Sequence, residues 1–434
     1  MNIKLSYGTD TLPVDVPDNW INGRLYRPKG LEPCADVRGE LMAALESMTG
    51  VPSIEKMAEG KQHCVIAVDP FEPVVTREVL PEFIEVLEDH TELSASDITI
   101  LLANRLWKPL LPAQVPEVLD ASTLEHYRVV LHSPFDADSV EVLTDSSRNV
   151  PITISKEYLR ADLKIVLGHV SPDLIFGFTG GRAVLSPGLS SEATYHALYD
   201  PQNVDHAGVR YGNFRDNPFH VHGMETAQHA GCDAAVSVLL TPSGHVSRVM
   251  AGHFGQSHFQ AMLAMREALQ ASAKEPMDVV VTSGGGAPFD HDMLSLLKSI
   301  AAVEGVLQAE GTIVVVGELK GGLGPKDFQR LLRLGRNHDE FIEALGKKEA
   351  FIPGQWAAQV LFRILRDHEV IVYTTGIPEE ELWALGFTPA KDMNEAILGA
   401  MESHGQRCKI VALPDGPFCL GAFPAVPSAA PAKR

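Results

Sequence analysis

The chain has 434 residues, about three average domains or two larger ones, and 45% of them are hydrophobic, enough to bury a sizeable core. Its 56 Asp and Glu against 36 Lys and Arg leave a formal charge of −20, which repels phosphate backbones and anionic lipid headgroups. With no Lys/Arg-rich run, neither nucleic acid nor a membrane surface is an expected partner. Five scattered cysteines without C-x-x-C spacing (Cys34, Cys64, Cys232, Cys408, Cys419) argue against a disulfide framework or a structural zinc site. No segment reaches the ~18 uninterrupted apolar residues of a membrane span. The opening MNIKLSYGTD has no apolar run behind a basic flank, so a cytoplasmic setting is expected.

Short Val/Ile-rich runs come first: HCVIAV (63–68), ITILLA (98–103), RVVLH (128–132) and LKIVLG (163–168). Between them lie amphipathic stretches such as REVLPEFIEVLEDH (77–90). Alternation of this kind predicts parallel strands joined by crossover helices. A helical stretch over 256–276 separates this series from a second: DVVVTSGGG (278–286), GTIVVVGEL (311–319), HEVIVYTTG (368–376) and CKIVALPDG (408–416). Each of these ends in Gly, Asp, Ser or Thr, the chemistry of a strand's carboxyl end, where ligands sit in open α/β sheets. The expectation is an α/β protein of two lobes with largely parallel sheets, residues 1–270 and 271–420, facing one another across an interdomain cleft. Residues 421–434, rich in Ala and Pro, are expected to be a disordered tail.

The segment GHVSPDLIFGFTGGRAVLSPG (168–188) is the most informative. It follows a predicted strand and carries Gly177, Gly180, Gly181 and Gly188, which allow a ligand close to the backbone and equally suit a structural turn. Gly284-Gly285-Gly286 and Gly321-Gly322-Leu323-Gly324 leave the same two readings open. Among seventeen histidines, His169 lies four residues before Asp173, and with His196 these could hold a hard metal or zinc. The alternative is ordinary hydrogen-bonded histidine. His220 and His222 would share one face of a strand, but Asn217-Pro218 reads better as the cap and first residue of a helix. His245, His253, His258, His291 and His368 are dispersed and expected to be solvated.

Gly180-Gly181-Arg182-Ala183-Val184-Leu185-Ser186-Pro187-Gly188 resembles the Gly-Gly-x-Lys-x-x-x-Pro-Gly signature of the nickel-dependent lactate racemase family. The resemblance continues, in the right order, through Asp69-Pro70-Phe71-Glu72-Pro73 and Arg105-Leu106-Trp107-Lys108-Pro109. In the C-terminal half it runs through Gly284-Gly285 with Pro288 and Asp290, Lys298, Gly321-Gly322, and Pro353-Gly354-Gln355-Trp356 with Gln359. It implies a racemase or epimerase of 2-hydroxy acids working through a nickel pincer nucleotide. In that family a lysine anchors the pincer ring, a histidine ligates nickel, two histidines exchange protons with the substrate hydroxyl, and an arginine and a lysine grip the carboxylate.

The same alignment implies cofactor contacts at Asp69, Gly180, Gly181, Arg182, Pro187 and Gly188, and substrate contacts at Glu72, Ser295, Lys298 and Trp356. Several chemical positions depart from the pattern. Ala183 stands for the anchoring lysine, Trp107 and Asp173 for the two acid/base histidines, Tyr199 for the nickel-binding histidine with His196 as a stand-in ligand, and Glu72 for the carboxylate-gripping arginine. A glutamate at that last point would repel a hydroxy acid and suit a neutral or cationic ligand. Two functions are therefore expected: a divergent racemase or epimerase with Asp173 as proton carrier, or a catalytically inactive or repurposed paralogue that acts as a small-ligand binding or regulatory protein.

Overall fold

The computed structural model describes residues 2–16, 24–106, 109–272, 275–347 and 351–422. The chain forms two compact units, one of residues 30–268 and the other of residues up to 29 together with those from 269 onward. The expected contiguous N-terminal lobe of residues 1–270 thus loses its first 29 residues to the other unit. The reason is apolar pairing: Asn2–Tyr7 and Asp10–Asp15 form an antiparallel hairpin. Its Ile3, Leu5, Val14, together with Val16, join the core of Val279, Val281, Val314 and Val316. Burying four such side chains contributes roughly 1.5–3 kcal/mol each as an upper estimate.

In unit 30–268 a six-stranded sheet has the spatial order Val246–Gly252, Ala234–Leu240, Leu163–His169, Cys64–Val68, Ile98–Leu102, Arg128–Leu131. All neighbours are parallel except the first pair, an antiparallel hairpin. The four early apolar runs are four of its parallel strands, and Ala234–Leu240, not among those runs, is the fifth. Cys64–Val68 is buried throughout, and successive side chains serve opposite faces: Cys64, Ile66 and Val68 enter one core, Val65 and Ala67 the other. A strand covered on both sides has no polar face, which is why its sequence does not alternate. Over one face lies the helix Leu80–His90, burying Leu80, Phe83, Ile84 and Leu87 at helical spacing.

The second unit carries another six-stranded sheet, all parallel, ordered Thr388–Pro389, Glu369–Tyr373, Leu307–Val316, Met277–Ser283, Ile410–Leu413, Arg24–Leu25. The helix expected over 256–276 spans Phe254–Leu269 and gives way to a short strand, Gln270–Ser272, paired with Leu420–Ala422. Gly421 and Ala422 are therefore strand residues, and the remainder of the expected tail lies outside the described residues. Among the described residues no helix is long and apolar enough to cross a membrane.

Candidate functional site

The parallel strands of unit 30–268 deliver their polar residues at one edge. Cys64–Val68 runs straight into Asp69, whose carboxylate accepts the Phe71 N–H at 3.0 Å and Arg105 Nη2 at 2.7 Å. Arg105 follows the neighbouring strand, and its guanidinium sits 4.2 Å above the Phe71 ring. Burial works against the Arg105 charge, but Asp69 more than offsets it and the group titrates above its ordinary range. Beside it, the buried Asn104 uses every hydrogen-bonding site of its amide. Nδ2 donates to the Leu110 and His132 carbonyls (3.1 and 3.0 Å), and Oδ1 accepts from the N–H groups of Leu110 and Arg105 (2.8 and 2.9 Å). That one side chain ties Arg105, Leu110 and His132 together. Trp107 lies outside the described residues.

The strand Leu163–His169 supplies the next group. His169 Nδ1 lies 3.7 Å from Glu72 Oε2, so Glu72 faces an imidazole. Four residues on, Asp173 Oδ1 accepts the N–H groups of Ile175 and Phe176, both at 2.8 Å, which fixes the carboxylate on a turn. The glycines that follow permit close approach. A Cβ on Gly180 would stand 2.6 Å from the His169 carbonyl oxygen, and one on Gly181 2.8 Å from His258 Nδ1. Gly188 is explained by packing: its carbonyl accepts the Asn104 N–H at 2.8 Å, and a Cβ there would collide with the Val184 carbonyl. Pro187 closes the same turn, its carbonyl accepting the Ser190 N–H at 3.0 Å.

Arg182 has a different environment. It is 2% exposed, and none of its three guanidinium nitrogens has a hydrogen-bond partner among the described residues. Burial pulls it down to about 9, with the Asp173 carboxylate opposing, so it remains a cation at neutral pH. Both ring nitrogens of the buried His258 and Nδ1 of the half-buried His220 are likewise buried without partners. Desolvation, and then the Arg182 charge, push His220 down to about 3 and His258 well below its usual range. The expectation that His258 is solvated fails: it is buried, with its ring against Gly181. Asn217 caps the helix Pro218–Ala230, as its sequence suggests, accepting from the N–H groups of Phe219 and His220. It also donates to the Ile175 carbonyl at 2.7 Å, tying the glycine loop to His220.

The metal reading of His169, Asp173 and His196 does not hold. His169 faces Glu72, and His196 sits on an exposed helix surface 3.6 Å from Glu192. Among the described residues no three of His, Cys, Asp and Glu gather in a metal-binding group. Tyr199 is buried, stacked on Tyr195 (5.7 Å between centroids) and set edge-on to Phe219 (5.0 Å), and burial drives its phenol well above the usual range.

In the other unit, Ser295 and Lys298 belong to the helix Met293–Glu304 and Trp356 to Gln355–Asp367. The Ser295 hydroxyl and N–H both donate to the capping Asp292, at 2.9 and 2.8 Å. Lys298 and Trp356 are half-buried. Gly284 sits against Asp290, a Cβ there falling 2.5 Å from that of Asp290. Asp290 in turn accepts the N–H groups of Gly8 (2.7 Å) and Glu318 (3.1 Å).

Residues 7–202 match the family model described as the lactate racemase N-terminal domain, and residues 272–419 match the lactate racemase C-terminal domain. The chain belongs to the lactate racemase family. It is 27% identical over 420 residues to a lactate racemase of Thermoanaerobacterium thermosaccharolyticum, covering 96% of this chain and 98% of that one. A lactate racemase of Lactiplantibacillus plantarum is 25% identical over 423 residues, covering 95% and 98%. The solved lactate racemase apoprotein of T. thermosaccharolyticum superposes with a TM-score of 0.84 at 26% identity, over 97% of this chain and all of that one. A Thermotoga maritima protein shares the fold at a TM-score of 0.57 and 14% identity, over 92% and 100%.

Within this lactate racemase framework the structure gathers Asp69, Glu72, Asp173, Gly180, Gly181 and Arg182 along one edge of a single sheet. Sequence reasoning missed Arg105 as the partner of Asp69, Asn104 as the loop clamp and His258 as a buried neighbour of Arg182. Asn104 and Arg105 carried a signal, since both follow a predicted strand directly. His258 carried none.

Proposed function

We propose that the chain is a lactate-racemase-like isomerase, a racemase or epimerase acting on a 2-hydroxy acid or related small polar acid. What carries the reading is the full-length kinship together with a polar edge at the carboxyl ends of parallel strands. Two proton carriers stand on that edge: His169, faced by Glu72, and Asp173, held on its turn. An imidazole beside a carboxylate can take and return a proton near neutral pH.

The nickel pincer nucleotide implied by the family does not fit these residues. Ala183 offers no amine for a covalent link. Tyr199, at the family's nickel-ligand position, is a neutral phenol packed between aromatic rings and a poor donor for Ni²⁺, which imidazole suits. The same two residues favour the second reading, a paralogue that binds a small ligand without turning it over.

The test is incubation of purified protein with single enantiomers of lactate and a panel of 2-hydroxy acids, followed by chiral chromatography, with nickel content and intact mass measured alongside. Interconversion that Asp173→Asn or His169→Gln lowers at least tenfold is expected. Enantiomers unchanged across the panel would leave the binding reading alone standing.

A further inference from the structure

We infer that Arg182, with the imidazoles of His220 and His258, forms a binding site for the carboxylate group of a small monoanionic ligand. The inference rests on the proposed function only for the ligand's identity as a 2-hydroxy acid; the site itself is read from the geometry.

Three segments converge on the guanidinium. Arg182 follows the Gly180-Gly181 turn. Its aliphatic stem lies against Gly223, where a Cβ would come 3.0 Å from Arg182 Cγ and 3.3 Å from its Cβ and Cδ. Gly223 is three residues after His220 on the helix Pro218–Ala230, so the two share a face. That helix therefore makes room for the arginine with one residue and presents an imidazole with another. His258 arrives from Phe254–Leu269, with its Nδ1 against Gly181. Asn217 locks the arrangement by capping the helix and bonding the Ile175 carbonyl. The unpartnered buried atoms are Nε, Nη1 and Nη2 of Arg182, Nδ1 of His220, and Nδ1 and Nε2 of His258.

The chemistry of these groups selects the ligand. A guanidinium presents N–H donors in a planar fork that matches a carboxylate with two parallel bonds. Both imidazoles are held neutral by burial and by the Arg182 charge, so they supply hydrogen bonds and no further charge. Asp173 is the anion that acts on Arg182. A single fixed cation partly offset by a carboxylate suits one negative charge, not the two of inorganic phosphate. The site also resolves the difficulty posed by Glu72. A carboxylate repelled there is received instead by a cation whose guanidinium nitrogens have no hydrogen-bond partner among the described residues.

Binding of L-lactate to the full chain, followed by titration calorimetry at constant ionic strength, tests this, with formate, inorganic phosphate and chloride as parallel probes. Lactate and formate are expected to bind, with affinity falling at least tenfold in Arg182→Met and threefold or more in His258→Gln. Circular dichroism and unfolding midpoints verify that each variant folds. If Arg182→Met does not fold, Arg182→Lys carries the comparison, since a lysine keeps the charge but loses the fork. Lactate binding unchanged in these variants would overturn the site while leaving a hydroxy-acid function intact. Arg182-dependent binding of formate without lactate would keep the site and overturn the hydroxy-acid reading. Phosphate bound in preference to both carboxylates, or no binding at all, would overturn the inference.

Discussion

Two arginines in this molecule are equally buried, at 2% exposure, and have opposite surroundings. Arg363, on the helix Gln355–Asp367, places Nη2 2.8 Å from Glu304 Oε2, and that carboxylate is almost as buried as the arginine. Arg182, in the other unit, has no hydrogen bond from any guanidinium nitrogen to a described residue. The glycine turns repeat the contrast. Around Gly284 the buried Asp290 collects two backbone N–H groups, whereas the Gly180-Gly181 turn leads into an open donor fork. A buried ion with its complement is architecture, because removing either partner leaves a desolvated charge. A buried ion without one is a standing penalty that a fold keeps only for another use.

The largest test of that contrast is a sign difference. Arg363→Met removes the cation facing Glu304 and should cost about 3–5 kcal/mol. Arg182→Met removes a buried charge that Asp173 only partly offsets and fits a stem already packed on Gly223, so its effect should run from neutral to about 3 kcal/mol of added stability. Urea unfolding of both variants beside the parent reads this directly. Equal destabilisation by the two would mean that Arg182 is held by interactions as good as those of Arg363.

Why only part of this was legible in the sequence follows from the same residues. The parallel strands announced themselves, since a segment such as CVIAV buried on both faces can be written only in apolar residues. The hairpin Asn2–Asp15 did not, because its partner core lies more than 260 residues away and its own pattern is short and half polar. The clustering of Asp69, Glu72, Asp173 and the glycine turn was readable from motif order alone. The isolation of Arg182 was not: burial of a cation becomes visible only when the residues around it are known, and Gly223 and His258 sit 41 and 76 positions downstream.

A smaller effect separates the loop that supports Arg182 from the self-sufficient unit. Gly177 has φ +73, and a Cβ there would run into the Asn213 carbonyl. Gly177→Ala should lose about 2–4 kcal/mol and loosen the Asn217 contact that aims His220. Gly399, within the helix Met393–Ser403, has open space around its Cβ position. Gly399→Ala should instead gain about 1 kcal/mol from helix propensity. Thermal unfolding of the two variants measures both, and the comparison breaks if Gly177→Ala proves neutral.

A further effect, graded with pH, lies in the acid limb of stability. His220 and His222 are held down to about 3 and about 4, in each case chiefly by burial. An unfolded histidine takes up its proton near pH 6.5, so below that pH the unfolded chain binds more protons than the folded one. Their contribution is complete above pH 6.5 and is lost as pH falls toward the folded values, at about 1.4 kcal/mol per pH unit for each histidine. His220→Gln should flatten the slope between pH 6 and 4 by that amount. The two also differ in their second cause. Arg182 depresses His220 further, while Glu225 acts on His222 and raises it. In Arg182→Met, NMR titration should therefore move His220 part of the way back toward 6.5, because desolvation remains, and leave His222 near 4. If both shifted together, the cause would be general loosening of the helix Pro218–Ala230 instead of the loss of one buried charge.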